Sequence, residues 1–329
     1  MKILIKGYYG YKNLGDELIV FGLLNRIEES FNPNQIDLIC GDAQRMESRL
    51  IEHKHFFPPI LKKINCISKP NTKEQIQIAL GSQRNKYDLI IFGGGQVLDE
   101  NRKFPYNGRN LPLLYEDSIR KRRFVLVGGL GTDHSSLTKQ LQKNLIQHAK
   151  YLILRDSFSY DITKKYLNKH ELHKVELFGD LSLPLLEETK DYLESGEVED
   201  TRDPYLLINL SPLCDWEESL KKIKETVRKH PQFQPIYFPC SMGEDMQYYT
   251  KLQEHLPQLE LFDWTKAGVA KTVKLLYFAK LGIGARLHFL YPLKFFGKEI
   301  EVLAKSHKNQ IALSDIDSGI IEQEHDHHH

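Results

Sequence analysis

Short runs of β-branched and other apolar residues alternate with longer amphipathic stretches along almost the whole 329-residue chain. This alternation constrains the fold more than any other feature, because continuous apolar strands separated by helices are typical of a parallel sheet covered on both faces. The strand-like runs of the first half are KILIK (2–6), IDLIC (36–40), YDLIIF (87–92), RFVLVG (123–128), YLILR (151–155) and KVELF (174–178). The less regular segment 41–71 is interpreted as loop and short helix.

The apolar pattern stops within the acidic stretch EETKDYLESGEVEDTRDP (187–204), and a second alternating series follows it. Its strand-like runs are YLLINLS (205–211), QPIYFPC (234–240), LELF (259–262), LGIGA (281–285) and EIEVLA (299–304). The pattern predicts an α/β, GT-B-like fold, in which two Rossmann-like domains face each other across a cleft. The predicted boundaries are 1–190 for the N-terminal domain, 191–204 for the linker, 205–318 for the C-terminal domain and 319–329 for a disordered tail.

The overall composition excludes several classes of protein. Lys plus Arg (45) nearly balances Asp plus Glu (44), so the charge gives no sign of nucleic-acid binding. The four cysteines contain no CxxC pair, which argues against a zinc knuckle or a disulfide framework and favours the cytoplasm. No secretory signal is recognised at the start, and the most apolar stretch is interrupted by charges, so no membrane span is predicted.

The stretch GYYGYKNLGDE (7–17) follows the first predicted strand and has the glycine spacing of a phosphate-binding P-loop. An acid, Asp16, stands where the P-loop would have its lysine, so a nucleotide phosphate is a poor ligand for it. One interpretation is that Asp16 caps its own helix. The other is that Asn13 and Asp16 meet substrate hydroxyls at the carboxyl end of the strand, where an α/β cleft opens.

Two further glycine clusters follow predicted strands. FGGGQVLDE (92–100) contains Gly93, Gly94 and Gly95, and GGLGTD (128–133) follows RFVLV. Glycines at a strand end leave backbone N–H groups that a ligand can approach closely, although a flexible turn gives the same sequence. Three glycine turns at one sheet edge favour a binding role.

Two arginines and a histidine occupy comparable positions at predicted strand ends. Arg155 ends YLILR, where its planar fork suits a carboxylate or phosphate, although it could simply pair with Asp156. Arg286 and His288 begin a helix after LGIGA. A histidine in an apolar run is more often a core residue, but the neighbouring arginine and glycine turn favour a functional role.

Together these motifs resemble the polysaccharide pyruvyl transferase family. The resemblance rests on GYYGYKNLGDE, DLIIFGGGQVLDE, RDSFSYD, FGDLSLPL with Asp180, FPCSMGED and GARLHFLY, in the same order over residues 1 to 315. It implies transfer of pyruvate from phosphoenolpyruvate to two hydroxyls of a sugar, with formation of a cyclic ketal and release of phosphate. Phosphoenolpyruvate is then a co-substrate, and no cofactor or metal is expected.

The resemblance also implies roles for particular residues. His288 would be the general acid or base, Arg155 would hold the anionic groups of the donor, and Lys308 would be the site lysine, with Lys305 close enough to compete for that role. The residues predicted to contact substrates are Asn13, Asp16, Gly93, Gly94, Gly95, Arg286 and Leu287. The expected acceptor is a lipid-linked or nucleotide-linked sugar, with peripheral membrane association through a lipid-linked acceptor.

Two other functions remain open at this point. A GT-B glycosyltransferase that uses a nucleotide sugar would share the fold and would use a glycine loop to face a diphosphate. A non-catalytic carbohydrate-binding relative is kept open by two departures from the family pattern, since GGLG replaces its usual Gly-Gln-Gly turn and Lys308 lacks the usual Tyr-Asp-Pro lead-in.

Overall fold

The computed structural model describes residues 1–52, 62–68, 87–97, 124–131, 136–195, 202–304 and 306–317. Among the described residues, the chain divides into two compact units, the first formed by residues 1–11 and 19–182 and the second by residues 12–18 and 183–317. The sequence pattern instead places the boundary after residue 190. The predicted tail and Lys305 lie outside the described residues.

The first unit contains a seven-stranded sheet in the order β3-β2-β1-β4-β5-β6-β7, and every neighbouring pair is parallel. Its strands are β1 Lys2–Tyr9, β2 Gln35–Cys40, β3 Ile64–Ser68, β4 Leu89–Val97, β5 Phe124–Leu130, β6 Tyr151–Leu154 and β7 Val175–Leu177. The described helices in this half of the chain are α1 Leu14–Phe31, α2 Ala43–Glu52, α3 Ser136–His148 and α4 Ser157–Tyr166, followed by a 3-10 helix at Lys169–Lys174.

Strand β3 corrects the sequence interpretation, which assigned only loop and short helix to residues 41–71. The strand pairs with β2 at the edge of the sheet, and its residues are at most half-buried. An edge strand of this kind does not need the continuous apolar run by which buried parallel strands are recognised.

The second unit contains a five-stranded parallel sheet in the order β10-β9-β8-β11-β12. Its strands are β8 Tyr205–Ile208, β9 Gln234–Tyr237, β10 Glu260–Leu261, β11 Leu281–Gly284 and β12 Glu299–Val302. Its helices are α5 Leu183–Glu194, α6 Trp216–Lys229, α7 Met242–Gln253, α8 Trp264–Ala267, α9 Val269–Phe278, α10 Leu287–Phe295 and α11 His307–Asp317.

In both sheets the strand order reverses direction beside the first strand of the unit. The reversal lies between β1 and β4 in the first unit and between β8 and β11 in the second. In open α/β sheets, ligands bind beyond the carboxyl ends of the strands at such switch points. The loops after these strands are therefore the expected ligand-binding positions of the two sheets. None of the helices in the described residues combines the length and apolar content needed to span a membrane.

Candidate functional site

The end of the opening motif is held by the loop that follows β9. Leu14 N donates to Cys240 O at 2.8 Å, Met242 N donates to Lys12 O at 3.2 Å, and Asn13 forms an antiparallel bridge with Ser241. These residues all belong to the second unit. The segment 12–15 is therefore fixed to residues 240–242 at the carboxyl end of that sheet.

The structure shows that Asn13, and not Asp16, provides the side chain at the start of α1. The helix begins at Leu14, and Gly15 N donates to Asn13 Oδ1 at 3.1 Å. Asp16 and Glu17 lie in the first turn, where acidic side chains suit the helix dipole. The interpretation of Asp16 as the cap of its own helix is therefore wrong by three residues in position, although Asp16 remains half-buried at the same helix end.

Gly15 lies directly against the imidazole of His288. A Cβ atom at Gly15 would overlap His288 Nδ1 and would lie 2.6 Å from Cγ and 2.8 Å from Cε1. Only glycine fits there without moving the ring. His288 is half-buried in the first turn of α10, so the predicted general acid or base and the opening motif meet within one unit.

Arg286 is the residue before α10, and two carboxylates hold its side chain. Arg286 Nη2 donates to Asp245 Oδ1 and to Glu244 Oε2, each at 2.6 Å, and Nε donates to Asp245 Oδ1 at 3.2 Å. Its backbone N–H donates to Asn209 Oδ1 at 3.0 Å. Asn209 follows β8 and Arg286 follows β11, which places this cluster at the switch point of the second sheet.

The surroundings of Arg286 keep its charge fixed. Burial acts to lower the pKa of Arg286, but its hydrogen bonds to the carboxylates of Asp245 and Glu244 outweigh that effect, so the pKa lies above its usual value. Burial raises the pKa of the neighbouring Cys240 thiol, and the charge of Asp245 adds to the effect. Cys240 is therefore a neutral, structural residue at this edge, and the positive charge resides on Arg286.

Arg155 lies in a similar arrangement in the first unit, directly after β6. Its Nη2 and Nε donate to Asp156 Oδ2 at 2.8 and 3.1 Å. Asp156 in turn caps α4, because its Oδ1 accepts from Ser159 N at 2.9 Å and from Ser159 Oγ at 2.6 Å. Arg155 therefore does pair with Asp156, but this pairing occupies only the Nε–Nη2 edge of its guanidinium.

The remaining Nη1 nitrogen of Arg155 is available to bind a ligand. Arg155 is 4% exposed, and its Nη1 has no hydrogen-bond partner among the described residues. Gly129 in β5 lies beside it, since a Cβ there would overlap Nη2 and would stand 2.7 Å from Cζ. A buried guanidinium nitrogen with hydrogen atoms still to donate is suited to an anionic ligand.

The glycines of FGGGQVLDE are placed differently from the prediction. Gly93, Gly94 and Gly95 lie inside β4, whereas the sequence interpretation has them in a turn after the strand. The pairing with β5 shifts register between Gly93 and Gln96, and Gly93 and Gly94 have positive φ. A Cβ at Gly93 would overlap Val127 O, and Tyr9 Oη donates to Gly93 O at 2.8 Å. Close packing between strands thus accounts for at least one of the three glycines.

The remaining predicted residues, Leu287 and Lys308, each lie in a helix of the second unit. Leu287 is the first residue of α10 and its side chain is buried, so any contact it makes with a ligand would come from its backbone. Lys308 lies in α11, which is the next helix after α10 and is separated from it by β12, while Lys305 falls outside the described residues. Within the described residues no cluster of three or more His, Cys, Asp or Glu side chains could hold a metal ion.

Sequence reasoning missed Asn209, Asp245 and Gly129 as parts of these clusters. Asp245 is fully buried and Asn209 is fully buried, and both polar side chains contact the Arg286 region from distant points of the chain. The acidic pair in FPCSMGED was a visible signal, but its partner lies 41 residues away. Nothing in one sequence indicates that pairing.

Comparison with known proteins identifies a family. The model of the family described as polysaccharide pyruvyl transferase matches residues 13–290, which is most of the chain. The match includes Asn13, Gly15, Arg155, Asp245 and the Arg286–His288 segment. A search of curated proteins finds no significant match.

Solved structures are similar to this chain over nearly its whole length. The UDP-GlcNAc 2-epimerase from Neisseria meningitidis bound to UDP-GlcNAc has a TM-score of 0.63 at 11% identity and covers 98% of this chain and 90% of its own. MnaA from S. aureus in complex with UDP has a TM-score of 0.60 at 10% identity, with 97% and 87% covered. At such low identity the likeness shows the fold alone, and it confirms the predicted GT-B-like α/β class.

Proposed function

Because the chain belongs to the polysaccharide pyruvyl transferase family, we propose that it transfers pyruvate from phosphoenolpyruvate to a sugar of a surface-polysaccharide precursor. The product is a cyclic ketal on two sugar hydroxyls, and inorganic phosphate is released. The observation that carries this proposal is the contact between Gly15 of the opening motif and the His288 imidazole. Two motifs separated by more than 250 residues thus meet at a side chain of a type suited to proton transfer, which supports the proposal.

The proposed reaction needs one proton donor and two successive attacks by sugar hydroxyls. Protonation of the methylene carbon of phosphoenolpyruvate gives C2 cationic character, and the first hydroxyl adds there and loses its proton. The second hydroxyl then attacks C2 and loses its proton as phosphate leaves with the C2–O bonding pair, and the ketal ring closes. Histidine exchanges protons near neutral pH, so His288 is assigned the role of general acid or base.

The donor carries a carboxylate and a phosphate, and these anionic groups need fixed positive charge. Arg155 and Arg286 are proposed to supply it, because each guanidinium is anchored along its Nε–Nη2 edge by an aspartate. Anchored charges require little reorganisation when negative charge develops on the departing phosphate. Lys308, or Lys305, is the proposed third cation, and Asn13, Asp16, the Gly93–Gly95 backbone and Leu287 remain proposed substrate contacts.

The acceptor is proposed to be a sugar linked to a lipid or a nucleotide in the cytoplasm. A lipid-linked acceptor would bring the protein to the membrane surface without a spanning helix. The proposed reaction uses no cofactor and no nucleic acid. These points rest on the family to which the chain belongs and on the chemistry of its donor.

The test is release of inorganic phosphate from phosphoenolpyruvate in the presence of a panel of sugar acceptors. His288→Ala should lower the rate by about 100-fold or more, since a positioned general acid or base contributes on that order. His170→Ala is the matched control, because His170 is exposed in the first unit and should leave the rate unchanged. Full activity in His288→Ala would overturn the assignment.

A thermal-shift measurement with both kinds of ligand separates this proposal from a nucleotide-sugar enzyme of the same fold. The solved structures of similar fold include an epimerase bound to UDP-GlcNAc. Thermal stabilisation by phosphoenolpyruvate, with no stabilisation by UDP-GlcNAc or UDP, is the expected result. Stabilisation by the nucleotides alone would instead support the nucleotide-sugar function.

A further inference from the structure

Asp245 is a fully buried carboxylate that links two parts of the proposed site. Its side chain is 0% exposed, and it lies in the first turn of α7 within the motif FPCSMGED. Oδ1 accepts from Nε and Nη2 of Arg286, and Oδ2 accepts from the backbone N–H groups of Cys240 and Ser241 at 2.9 and 3.0 Å. Oδ1 therefore holds the guanidinium of Arg286, and Oδ2 holds the backbone of the 240–241 segment.

The first oxygen sets the direction of the Arg286 fork. Both Nε and Nη2 donate to Oδ1, and Nη2 also donates to Glu244, so the described contacts take up that edge of the guanidinium. The paired edge leaves Nη1 as the nitrogen that can be directed toward an anion. Because a guanidinium is planar, holding one edge fixes the orientation of the other.

The second oxygen holds the backbone of the 240–242 loop, which contacts the opening motif. Cys240 N and Ser241 N donate to Asp245 Oδ2, and these two residues together with Met242 form the loop side of the contact with residues 12–14. Cys240 O accepts from Leu14 N at 2.8 Å. Gly15 follows at once and lies against the imidazole of His288.

We propose that Asp245 is a positioning residue that orients Arg286 through Oδ1 and, through Oδ2 and the 240–242 loop, the Gly15 surface against which His288 packs. The proposal rests on the proposed function, because it assigns Asp245 to the anion-binding and proton-transfer groups of that reaction. Asp245 itself does not touch the substrate. Its effect is transmitted through one side chain and one loop.

A purely structural role is the competing explanation, since a buried carboxylate that accepts backbone N–H groups also stabilises a helix start. The two explanations differ in what happens to Arg286. If Asp245 only stabilises the fold, its replacement changes the melting temperature and leaves the orientation of Arg286 and the catalytic constants of the folded protein unchanged. If it positions the site, the folded variant has a released arginine and altered kinetics.

The first experiment measures the arginine without any activity assay. Phenylglyoxal modifies accessible guanidinium groups, and peptide mass spectrometry gives the labelling rate of Arg286. Asp245→Asn should raise that rate by about tenfold, because hydrogen bonds to a charged group hold it strongly. Glu244→Gln is the matched control, because it removes one negative charge from the same Nη2 but at a 59% exposed side chain. Its effect should stay below about threefold, as for exposed ion pairs.

The second experiment measures phosphate release from phosphoenolpyruvate. Asp245→Asn should lower kcat/KM by about 100-fold, since small misplacements of catalytic groups have effects of that size. Arg286→Lys keeps the charge but loses the planar fork, so it should raise KM for phosphoenolpyruvate even if Asp245→Asn does not fold. In the double variant the KM effects should be far from additive, because both changes act through the same guanidinium.

The outcomes separate the two proposals. If the wild-type chain releases no phosphate with any acceptor, the proposed function fails, and the labelling result still decides whether Asp245 holds Arg286. If folded Asp245→Asn shows wild-type labelling, or if its KM effect adds fully to that of Arg286→Lys, the positioning role is overturned. Tenfold faster labelling with a non-additive loss of kcat/KM supports it.

Discussion

The two arginine sites are built from the same interaction but from very different stretches of chain. In the first unit, Asp156 holds Nε and Nη2 of Arg155, and in the second unit Asp245 holds the same two nitrogens of Arg286. In both, one carboxylate oxygen accepts both donors and the other oxygen accepts N–H groups of the local backbone. The common result is an arginine with one edge fixed.

The sites differ in how local they are. Arg155 and Asp156 are consecutive residues between β6 and α4, so the strand-to-helix turn itself forms the pair. Arg286 and Asp245 are 41 residues apart, and Glu244 and Asn209 also contribute. The Arg286 cluster therefore depends on the relative positions of three segments that follow β8, β9 and β11.

The sites also differ in their access to water. The Arg155 and Asp156 side chains are 3% and 5% exposed, whereas Arg286 is 23% exposed and its second partner Glu244 is largely in solvent. A dry ion pair is strongly destabilised when one partner is removed, because the other charge is left buried. Removal of the arginine should accordingly lower the free energy of unfolding more at the first site than at the second.

The sharpest test of this contrast replaces each arginine by methionine, which conserves volume and removes the charge. Arg155→Met should lower the free energy of unfolding by about 3–5 kcal/mol, because Asp156 Oδ2 is left in a dry site. Arg286→Met should lower it by about 1–2 kcal/mol, since the Arg286 side chain is already partly exposed and Asp245 keeps its backbone amide donors. Urea unfolding measures both.

Both methionine variants should also lose affinity for phosphoenolpyruvate if the two arginines bind the donor. Calorimetric titration below the unfolding transition measures that affinity. Equal losses of unfolding free energy in the two variants would contradict the idea that the buried Arg155–Asp156 pair matters more for stability than the more exposed Arg286 cluster. Unchanged donor affinity in either variant would remove that arginine from the proposed site.

A smaller change tests whether close packing at Gly15 matters to the second site. A Cβ at Gly15 would overlap His288 Nδ1, so Gly15→Ala should displace the ring. We expect kcat to fall by about 100-fold, because a displacement of about 1 Å has that effect on catalytic groups. Phosphate release from phosphoenolpyruvate measures it, and an unchanged kcat would show that His288 adjusts without loss.

The corresponding change in the first unit is Gly129→Ala, where the new Cβ would overlap Arg155 Nη2. The fork would have to turn, and KM for phosphoenolpyruvate should rise by about tenfold through a weakened charge-assisted hydrogen bond. Gly243→Ala is the control for both glycine variants, because a Cβ there meets no atom within 4 Å. In helix α7 that change should stabilise the protein by about 0.5–1 kcal/mol.

The contrast between the arginine sites also explains what could be predicted from the sequence. The alternation of apolar runs and amphipathic segments predicts the parallel α/β class, and Arg155 at a strand end beside Asp156 is visible in consecutive letters. Such features follow from local periodicity and neighbouring residues. The half-exposed edge strand β3 lacks the apolar run and was missed.

The rest of the candidate site depends on contacts between distant segments. The Gly15–His288 contact joins residues 273 positions apart, and the clamp on Arg286 joins residues 41 apart. Neither leaves a periodic signal in one sequence. The glycines of β4 were misplaced for a related reason, since Gly93 is needed where a neighbouring strand approaches and not where a turn begins.

A third cation, the half-buried Lys6 of strand β1, provides the smallest and last test. Burial lowers the pKa of Lys6 to about 8, whereas hydrogen bonds donated to Asp245 and Glu244 raise the pKa of Arg286 despite burial. The folded state therefore releases the Lys6 proton at lower pH than the unfolded state does, and the unfolded chain binds more protons between about pH 8 and 10.5. Stability should rise with pH across that window.

We expect the free energy of unfolding of the wild type, measured relative to Lys6→Met, to increase by roughly 1–3 kcal/mol between pH 7.5 and 10. Urea unfolding at several pH values measures the difference. Lys164→Met is the control, because Lys164 is exposed in α4, where its ammonium group pairs with Asp161 and lies over the ring of Tyr160. A flat difference for Lys6 would mean that the lysine keeps its proton in the folded state as firmly as it does in the unfolded chain.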